Sequence, residues 1–371
     1  MGIHFHTDHV GSLLRPPELI AARNRFANGE IEQEQLTEAE NSAIDEVLAK
    51  QKAIGIDVVS DGEFRRAGWY EGFRTAVDGF IPHERSSLAV WKGPSGDMAT
   101  KELRERASAV IGEKLRLRRP FTAVESAYLS THGCDRFKIT MPGCSTFLHF
   151  FEPGVTEAAY RDRDELLADI VSIYKQEVDR LVSEGVPVIQ IDSLRYGDAM
   201  DPTMRSIWES RGVDPMSIVR QTLDADNEVL ARADVPGIVR AMHICRGNHR
   251  SAWLGEGGYE PVADLLFNEL NVDRYLLEYD DERSGGFEPL RYVPDNKVVV
   301  LGLVTTKTGE LESRDELTRR IHEAAQYVPL QNLALGTQCG FASTELGNLL
   351  TIDEQWRKLE LIVETADAVW G

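Results

Sequence analysis

Short apolar runs alternate with longer amphipathic segments along most of the chain. The runs IDVVS, PVIQID, YLLEYD and KVVVLGLV are continuous or nearly so, which is typical of parallel strands that are buried on both faces. Runs of this kind predict eight strands, around residues 7–12, 56–61, 137–141, 187–192, 238–243, 275–279, 297–304 and 333–338.

The segments between these runs carry helix signals. Thr37 and Glu40 form a capping-box pattern ahead of an apolar face, and Gly55 is placed to end that helix. A second helix is predicted over 161–184, where apolar residues recur at helical spacing and Gly185 follows. The same capping pattern precedes two further helices, at Ser313 with Glu316 and at Thr351 with Glu354.

Strands that alternate with helices predict an α/β fold, and eight of them predict a single TIM (β/α)8 barrel over residues 1–371. Residues 80–130 fit neither pattern and are predicted to be an insertion after the second strand. Within them, Leu115 and Leu117 alternate with basic residues, as in an edge strand with one solvated face. A doubly wound open sheet is the alternative, although no GxGxxG loop follows any predicted strand.

Composition narrows the class of protein. The 371 residues are 42% hydrophobic and 27% charged, and the formal net charge of -20 disfavours nucleic acid and anionic membranes as partners. No apolar run approaches a membrane span and no signal-peptide pattern is present, so a cytoplasmic location is expected. Four cysteines are too few for a disulfide scaffold, and Cys134 and Cys144 are expected to be buried free thiols.

Polar side chains stand at the carboxyl ends of nearly all the predicted strands. In a TIM barrel these ends form the active-site face, so the coincidence predicts one shared site. The residues concerned are His9, Ser12, Asp61, Glu63, Asp192, His243, Cys245, Glu278, Asp280, Thr305, Thr306, Lys307 and Cys339.

His243 and Cys245 alternate along an extended segment, so both side chains can face one ion. Cys339, at another strand end, adds a second thiolate, and imidazole nitrogen with thiolate sulfur is a typical zinc donor set. Glu278 is predicted as a fourth ligand, unless it pairs with a nearby arginine. A bound divalent ion deprotonates a coordinating thiol, so this donor set favours activation of a substrate thiol, with zinc-dependent hydrolysis as an alternative.

Other strand-end groups suit an amino-acid-like substrate. Glu63 and Asp192 are predicted to hold an ammonium group, and the backbone around Gly11 and Ser12 is predicted to hold a carboxylate. Each has a structural alternative, because Glu63 can pair with an arginine of the GEFRR stretch and Asp192 can cap the turn that follows it.

Seven stretches form an ordered set of motifs: HTDHVGSLLRP, SDGEFRRAGW, VIQID, MHICRGN, YLLEYDDERSG, LGLVTTKTGELES and TQCGFAS. Together they resemble the cobalamin-independent methionine synthases, and more closely the short, single-barrel branch that includes epoxyalkane:coenzyme M transferase. The resemblance runs from about residue 5 to the C-terminus. It implies a TIM barrel and methyl transfer from a methylated folate to the thiol of homocysteine.

The resemblance also implies roles for individual residues. It implies that Zn2+ is bound by His243, Cys245, Glu278 and Cys339. It implies that the turn of Val10, Gly11 and Ser12 holds the homocysteine carboxylate, and that Glu63 and Asp192 bind its amino group.

The sequence departs from the family pattern at three points. It contains no counterpart of the N-terminal barrel that helps the long enzymes to bind folate. Lys307 stands where those enzymes have the histidine that protonates the leaving nitrogen, and Asp192, Ser193 and Leu194 replace an Asp-Glu-Pro sequence. Asp192 and Lys307 are therefore the candidate catalytic residues, with Lys307 as the acid.

Three functions stay open on the sequence. The first is zinc-dependent methyl transfer to homocysteine, and the second is epoxide opening by a thiol such as coenzyme M. The second fits Glu63 and Asp192 poorly, because a sulfonate thiol has no ammonium group to bind. The third is a non-catalytic barrel with a structural zinc, in which no coordination position is open to substrate.

Overall fold

The computed structural model describes residues 3–83, 91–93, 109–132 and 135–371. Its strands are β1 Thr7–Asp8, β2 Val77–Pro82, β3 Ala109–Leu117, β4 Lys138–Pro142, β5 Val188–Ser193, β6 Val239–Ile244, β7 Arg274–Glu278, β8 Val298–Val304 and β9 Leu333–Thr337. Seven of them form a curled parallel sheet in the order β1-β9-β8-β7-β6-β5-β4. From β4 to β9 each strand pairs with the next one along the chain, so the reversal of a doubly wound sheet does not occur there.

The last six predicted strands are confirmed to within one residue at each end. The first predicted strand, 7–12, is confirmed only as the two residues of β1, because the chain turns at Gly11, which has a φ of 145°.

The second predicted strand, 56–61, is wrong as a regular strand. Among the described residues it makes one isolated bridge to the edge of the sheet, in which the Lys138 amide donates to the Val59 carbonyl (2.9 Å). On its other side, the Asp57 carboxylate accepts the Thr7 amide (3.0 Å), and Thr7 Oγ1 accepts the Asp57 amide (2.8 Å). The segment therefore lies between β1 and β4, with side chains replacing part of the backbone ladder.

Helices connect the strands of the sheet. They are α1 Pro17–Ala27, α2 Gln33–Ile54, α3 Glu71–Ala76, α4 Ala123–His132, α5 Arg163–Ser183, α6 Gly197–Met200, α7 Pro202–Ser210, α8 Pro215–Leu230, α9 Ala263–Glu269, α10 Arg314–Ala324 and α11 Ile352–Trp370. In the part of the chain that the structure describes, no helix is both long and apolar enough to cross a membrane.

The helix ends test the predicted caps. Ser313 and Thr351 cap α10 and α11, with Thr351 in a complete capping box. The predicted box at Thr37 is wrong, because α2 begins a turn earlier with a capping box between Glu32 and Gln35. Thr37 lies inside the helix, where its hydroxyl donates to a backbone carbonyl of the preceding turn (2.9 Å). The predicted helix over 161–184 is confirmed as α5.

A separate antiparallel sheet of two strands, β2 and β3, begins three residues before the predicted insertion, and the end of the predicted range forms part of helix α4. Leu115 and Leu117 of β3 are partly buried against the main core, as expected for an edge strand with one wet face. Residues 84–90 and 94–108 of the predicted insertion lie outside the described residues, as does Cys134. Cys144 is a free thiol and is fully buried, as predicted.

A buried polar network runs through the sheet interior beneath the predicted site. Lys138 Nζ donates to Asp8 Oδ1 (2.6 Å) and to Gln190 Oε1 (2.8 Å). Gln190 Nε2 in turn donates to the Val10 carbonyl (2.5 Å) and to Asp192 Oδ1 (2.7 Å). Because buried polar groups that are all paired are rigid, the network fixes the first turn and Asp192 relative to each other.

Candidate metal and substrate site

Four predicted ligands come together at the carboxyl ends of three strands of the parallel sheet, β6, β7 and β9. His243 lies in β6, Cys245 follows that strand, Glu278 ends β7 and Cys339 follows β9. One ligand atom from each residue lies within 4.8 Å of every other. Parallel strands place their carboxyl ends on the same edge, which is why residues so far apart in sequence meet here.

Hydrogen bonds orient these side chains toward one point. His243 Nδ1 lies 3.1 Å from the Leu276 carbonyl, which assigns the proton to Nδ1 and leaves Nε2 facing the cluster. Nε2 is buried and has no hydrogen-bond partner among the described residues. Glu278 Oε1 accepts the Arg246 amide (2.5 Å), and Oε2 accepts Gln338 Nε2 (2.9 Å).

The two sulfur atoms lie 3.5 Å apart, and both cysteines are free thiols. The hydrogen bond from Cys245 and the nearby His243 hold the pKa of Cys339 well below its usual value, whereas the same contact raises the pKa of Cys245. Burial acts to lower the pKa of His243, but the contact with the Cys339 sulfur and the charges of Cys339, Asp192 and Glu278 raise that pKa to about 9.

Glu278 is ionised although it is fully buried. Burial acts to raise its pKa, but the positive charges of Arg246, Lys307 and Arg283 lower it further than burial raises it. Arg283 Nη2 lies 3.4 Å from Glu278 Oε2, so the predicted pairing with an arginine also exists. The two roles are compatible, because each carboxylate oxygen has more than one acceptor site.

The donor set fits zinc. One imidazole nitrogen, two cysteine sulfurs and a carboxylate oxygen are ligands that zinc takes in a tetrahedral arrangement. The unpartnered His243 Nε2 is the structural observation that supports the fit, since a buried ring nitrogen without a partner is costly unless something binds it.

A cleft of about 480 Å³, including its open mouth, extends from this cluster. Its lining residues are Val10, Ser12, Glu63, Trp69, Trp91, Asp192, Ser193, Leu194, His243, Cys245, Gly247, Asn248, Cys339, Gly340 and Ser343. The structure therefore places three predicted metal ligands and four predicted substrate-binding residues around one space. Of the other predicted site residues, Gly11, Glu278 and Lys307 are not in this lining.

Glu63 has one carboxylate oxygen available to a ligand. Its Oε1 accepts the Thr140 hydroxyl (2.8 Å), while Oε2 is buried without a hydrogen-bond partner among the described residues. Arg66 lies 3.8 Å from Glu63, but its short contacts go to Glu125 (2.7 and 2.9 Å). Glu63 also has a left-handed φ of 59°, which costs roughly 1–2 kcal/mol for a residue with a Cβ. Such strain is typical of functional positions.

Asp192 faces the cluster from β5. Burial raises its pKa to about 7, the charge of His243 opposes this rise and that of Glu63 adds to it. The alternative prediction was that Asp192 caps the turn that follows it. In the structure Ser193 does so, because its hydroxyl accepts the Arg195 amide (3.3 Å). Asp192 is thereby left facing the cleft.

The first turn closes the floor of the cleft. Gly11 cannot carry a side chain, because a Cβ there would lie 2.7 Å from Thr140 Cγ2 and φ is 145°. The Ser60 hydroxyl donates to the Gly11 carbonyl (2.5 Å), and the Phe341 amide donates to the Ser12 carbonyl (2.9 Å). These bonds hold Ser12 against the loop that follows β9.

Lys307 is separated from the cleft by a residue that the sequence did not single out. Lys307 Nζ lies 3.5 Å from Asn248 Oδ1, and Asn248 lines the cleft. Asn248 Nδ2 donates to the Gly340 carbonyl (2.7 Å) and to Thr306 Oγ1 (3.1 Å). The role of Lys307 as an acid stays a prediction.

Two tryptophans in the lining were also missed. Trp69 follows the GEFRRAG stretch, and its amide donates to the Ser343 carbonyl (2.9 Å). Trp91 belongs to the insertion, and the neighbouring Lys92 pairs with Trp253 through two backbone hydrogen bonds (2.8 and 2.7 Å). An aromatic residue in a loop has no periodic signal, so the sequence offered no means to place either ring.

Comparison with known proteins agrees with these observations. The family model described as the catalytic domain of cobalamin-independent synthase matches residues 5–367. The uncharacterized protein YxjH of Bacillus subtilis (strain 168) is 38% identical over 371 residues, which cover 99% of this chain and 95% of YxjH. The methionine synthase of Saccharolobus solfataricus is 25% identical over 364 residues, covering 98% of this chain and 94% of that protein.

A solved structure is similar over the same length. The crystal structure of a Listeria monocytogenes protein assigned as a vitamin-B12 independent methionine synthase has a TM-score of 0.74 and 30% sequence identity. The match covers 99% of this chain and 98% of that one. Since the family model and these relatives span almost all of the sequence, the chain belongs to the family of cobalamin-independent methionine synthase catalytic domains.

Proposed function

We propose that this protein is a zinc-dependent methyltransferase that transfers a methyl group from an activated donor to the thiol of homocysteine. The observation that carries the proposal is that His243, Cys245 and Cys339 line the same cleft as Glu63 and Asp192. The metal ligands suit a thiol and the two carboxylates suit an ammonium group, which are the two functional groups of an amino-acid thiol. The proposal takes the curled sheet as a (β/α)8 barrel, closed by the segment 56–61.

Different residues of the site would bind the metal, the ammonium group and the carboxylate of the substrate. Zinc, when it is bound by His243, Cys245, Glu278 and Cys339, supplies a Lewis acid that keeps a substrate thiol deprotonated at neutral pH. Glu63 and Asp192 bind the homocysteine ammonium, and the turn at Ser12 receives its carboxylate. Holding both ends fixes the direction of the sulfur lone pair relative to the donor methyl group, which converts a bimolecular step into an oriented one.

The competing functions fit the cleft less well. Coenzyme M would bring a sulfonate toward two carboxylates, Glu63 and Asp192, and like charges in a buried site cost free energy. A purely structural zinc does not account for the buried Oε2 of Glu63 in the cleft lining, which has no hydrogen-bond partner among the described residues.

The test is metal content and the absorption spectrum of the cobalt-substituted protein, with and without L-homocysteine. We expect one metal ion per chain and a homocysteine-dependent change in the sulfur-to-cobalt band. Cys339→Ala should lose the metal and the response, whereas Cys144→Ala is the matched control, because that thiol is buried away from the cluster. A metal-free native protein, or a bound metal that ignores homocysteine, would contradict the proposal.

A further inference from the structure

Two tryptophans from different parts of the chain line the cleft. Trp69 comes from the loop before α3, and Trp91 comes from the insertion. Both side chains are partly exposed, so their rings are available to a ligand. Trp91 packs over the metal-ligand loop, since a Cβ added to Gly247 would lie 3.1 Å from Trp91 Cζ3. The Gly247 amide donates to Cys245 Sγ (3.2 Å), so the indole lies beside the reacting end of the cleft.

The pairing that holds Trp91 is specific. Lys92 and Trp253 exchange two backbone hydrogen bonds, and Lys92 Nζ lies 3.4 Å from Glu256. The ring of Trp91 also lies 5.7 Å from that of His249. The indole is therefore placed by contacts on both sides, and is a built part of the cleft wall.

The ionisable side chains in the described lining of the cleft that carry a formal charge at neutral pH are acidic. Its described lining contains the carboxylates of Glu63 and Asp192 and neither lysine nor arginine. The nearest arginines are committed elsewhere: Arg66 binds Glu125, and Arg246 stacks on Tyr259 and donates to the Gly257 carbonyl (2.8 and 3.1 Å). A lining of this composition attracts cations, and among the described residues it has no cationic side chain to bind the anionic tail of a polyglutamyl folate.

We propose that the methyl donor is a small methylsulfonium compound, whose cationic sulfur lies against Trp91 and Trp69. Aromatic faces bind methylated onium cations through the ring quadrupole, and the attraction grows when water is excluded. The inference rests on the proposed methyl transfer to homocysteine and names its donor class.

The step balances without an acid. The homocysteine thiolate forms a bond to the methyl carbon as the bond from that carbon to the sulfonium sulfur breaks. The electron pair of the broken bond stays on the donor sulfur, which leaves as a neutral thioether. No proton is needed, which agrees with a cleft lining from which Lys307 is absent. A methylated folate, by contrast, leaves through a nitrogen that must be protonated.

The experiment uses trideuteromethyl-labelled dimethylsulfoniopropionate as the probe, because it has no ammonium group that could occupy the homocysteine subsite. We expect labelled methionine by mass spectrometry, formed only when homocysteine and bound zinc are present. In 4-methylpentanoate an uncharged carbon replaces the sulfonium sulfur and the carboxylate is kept. This compound should compete at least roughly tenfold more weakly than the sulfonium. Equal competition by 4-methylpentanoate, or methionine formed from 5-methyltetrahydrofolate and not from the sulfonium, would overturn the inference.

Substitutions of Trp91 test whether its indole ring binds the sulfonium. Trp91→Leu should lower kcat/KM for the sulfonium about tenfold, whereas Trp91→Phe, which keeps an aromatic face, should stay within about threefold. Trp208→Leu is the matched control, because that tryptophan lies in α7 outside the cleft lining. Equal rates for the leucine and native proteins refute a role for Trp91. If the native protein does not transfer the methyl group from the sulfonium but its cobalt spectrum still responds to homocysteine, only this inference is refuted. If the cobalt spectrum does not respond to homocysteine, the proposed function is refuted.

Discussion

Replacing Glu63 by glutamine should weaken homocysteine binding without destabilising the fold. The glutamine keeps the length of the side chain and its contact with Thr140, and it removes only the negative charge. Glu63 is 3% exposed and its Oε2 has no described hydrogen-bond partner, so water screens little of its attraction for an ammonium group.

The expected magnitude follows from these contacts. A hydrogen bond to a charged group contributes roughly 1.5–3 kcal/mol, and the partial neutralisation by Arg66 at 3.8 Å favours the lower half of that range. We therefore expect Kd to rise roughly 30-fold, for a loss of about 2 kcal/mol. The free energy of unfolding should change by less than about 1 kcal/mol, because the variant loses a long ion pair and also loses a buried charge.

The assay is calorimetric titration of the zinc-loaded protein with L-homocysteine and with 4-mercaptobutanoate, which lacks the amino group. The loss in Glu63→Gln should appear with homocysteine and vanish with the deaminated thiol. Glu40→Gln serves as the matched control, because Glu40 is a buried carboxylate that pairs with Arg65 (3.0 Å) away from the cleft. The reasoning is refuted if the variant binds homocysteine as the native protein does, or loses the same affinity for both thiols.

Two further predictions concern a buried lysine and a buried acid. Lys307→Ala should keep its metal and leave transfer from a sulfonium unaffected, because that step needs no acid; slower sulfonium transfer with the metal retained would contradict this and indicate an acid role. Burial raises the pKa of Asp226 to about 7, although the Tyr196 hydroxyl bond (2.8 Å) opposes this. The folded state then binds more protons than the unfolded state between about pH 4 and 7, so stability falls as the pH rises through that window. Asp226→Asn should gain up to roughly 4 kcal/mol over the native protein between pH 5 and 8 in urea titrations, and parallel pH profiles would contradict the assignment.

The sequence predicted the regular part of the fold well, and the reason is physical. Parallel strands buried on both faces favour continuous apolar runs, and β5, β7 and β8 have runs that are continuous or nearly so. The second predicted strand has such a run too, but Asp57 and Thr7 satisfy each other's backbone through their side chains, which no apolar pattern records. The start of α2 was misplaced for a similar reason. Glu32 with Gln35 caps the helix one turn before the Thr37 pattern, and both pairs look alike in sequence.

The metal cluster and the donor side of the cleft were not equally predictable. His243, Cys245 and Cys339 could be predicted to meet because strand ends converge by geometry, whatever the loops do. Trp91 is placed by one pairing of Lys92 with Trp253, between residues 161 positions apart in the chain, and neither composition nor period indicates that contact. The proposed metal ligands therefore lie at the ends of regular strands, whereas the proposed contact with the methyl donor depends on where an irregular insertion returns to the sheet. Relatives with the same ligands and a different insertion should accordingly share the thiol and differ in the donor.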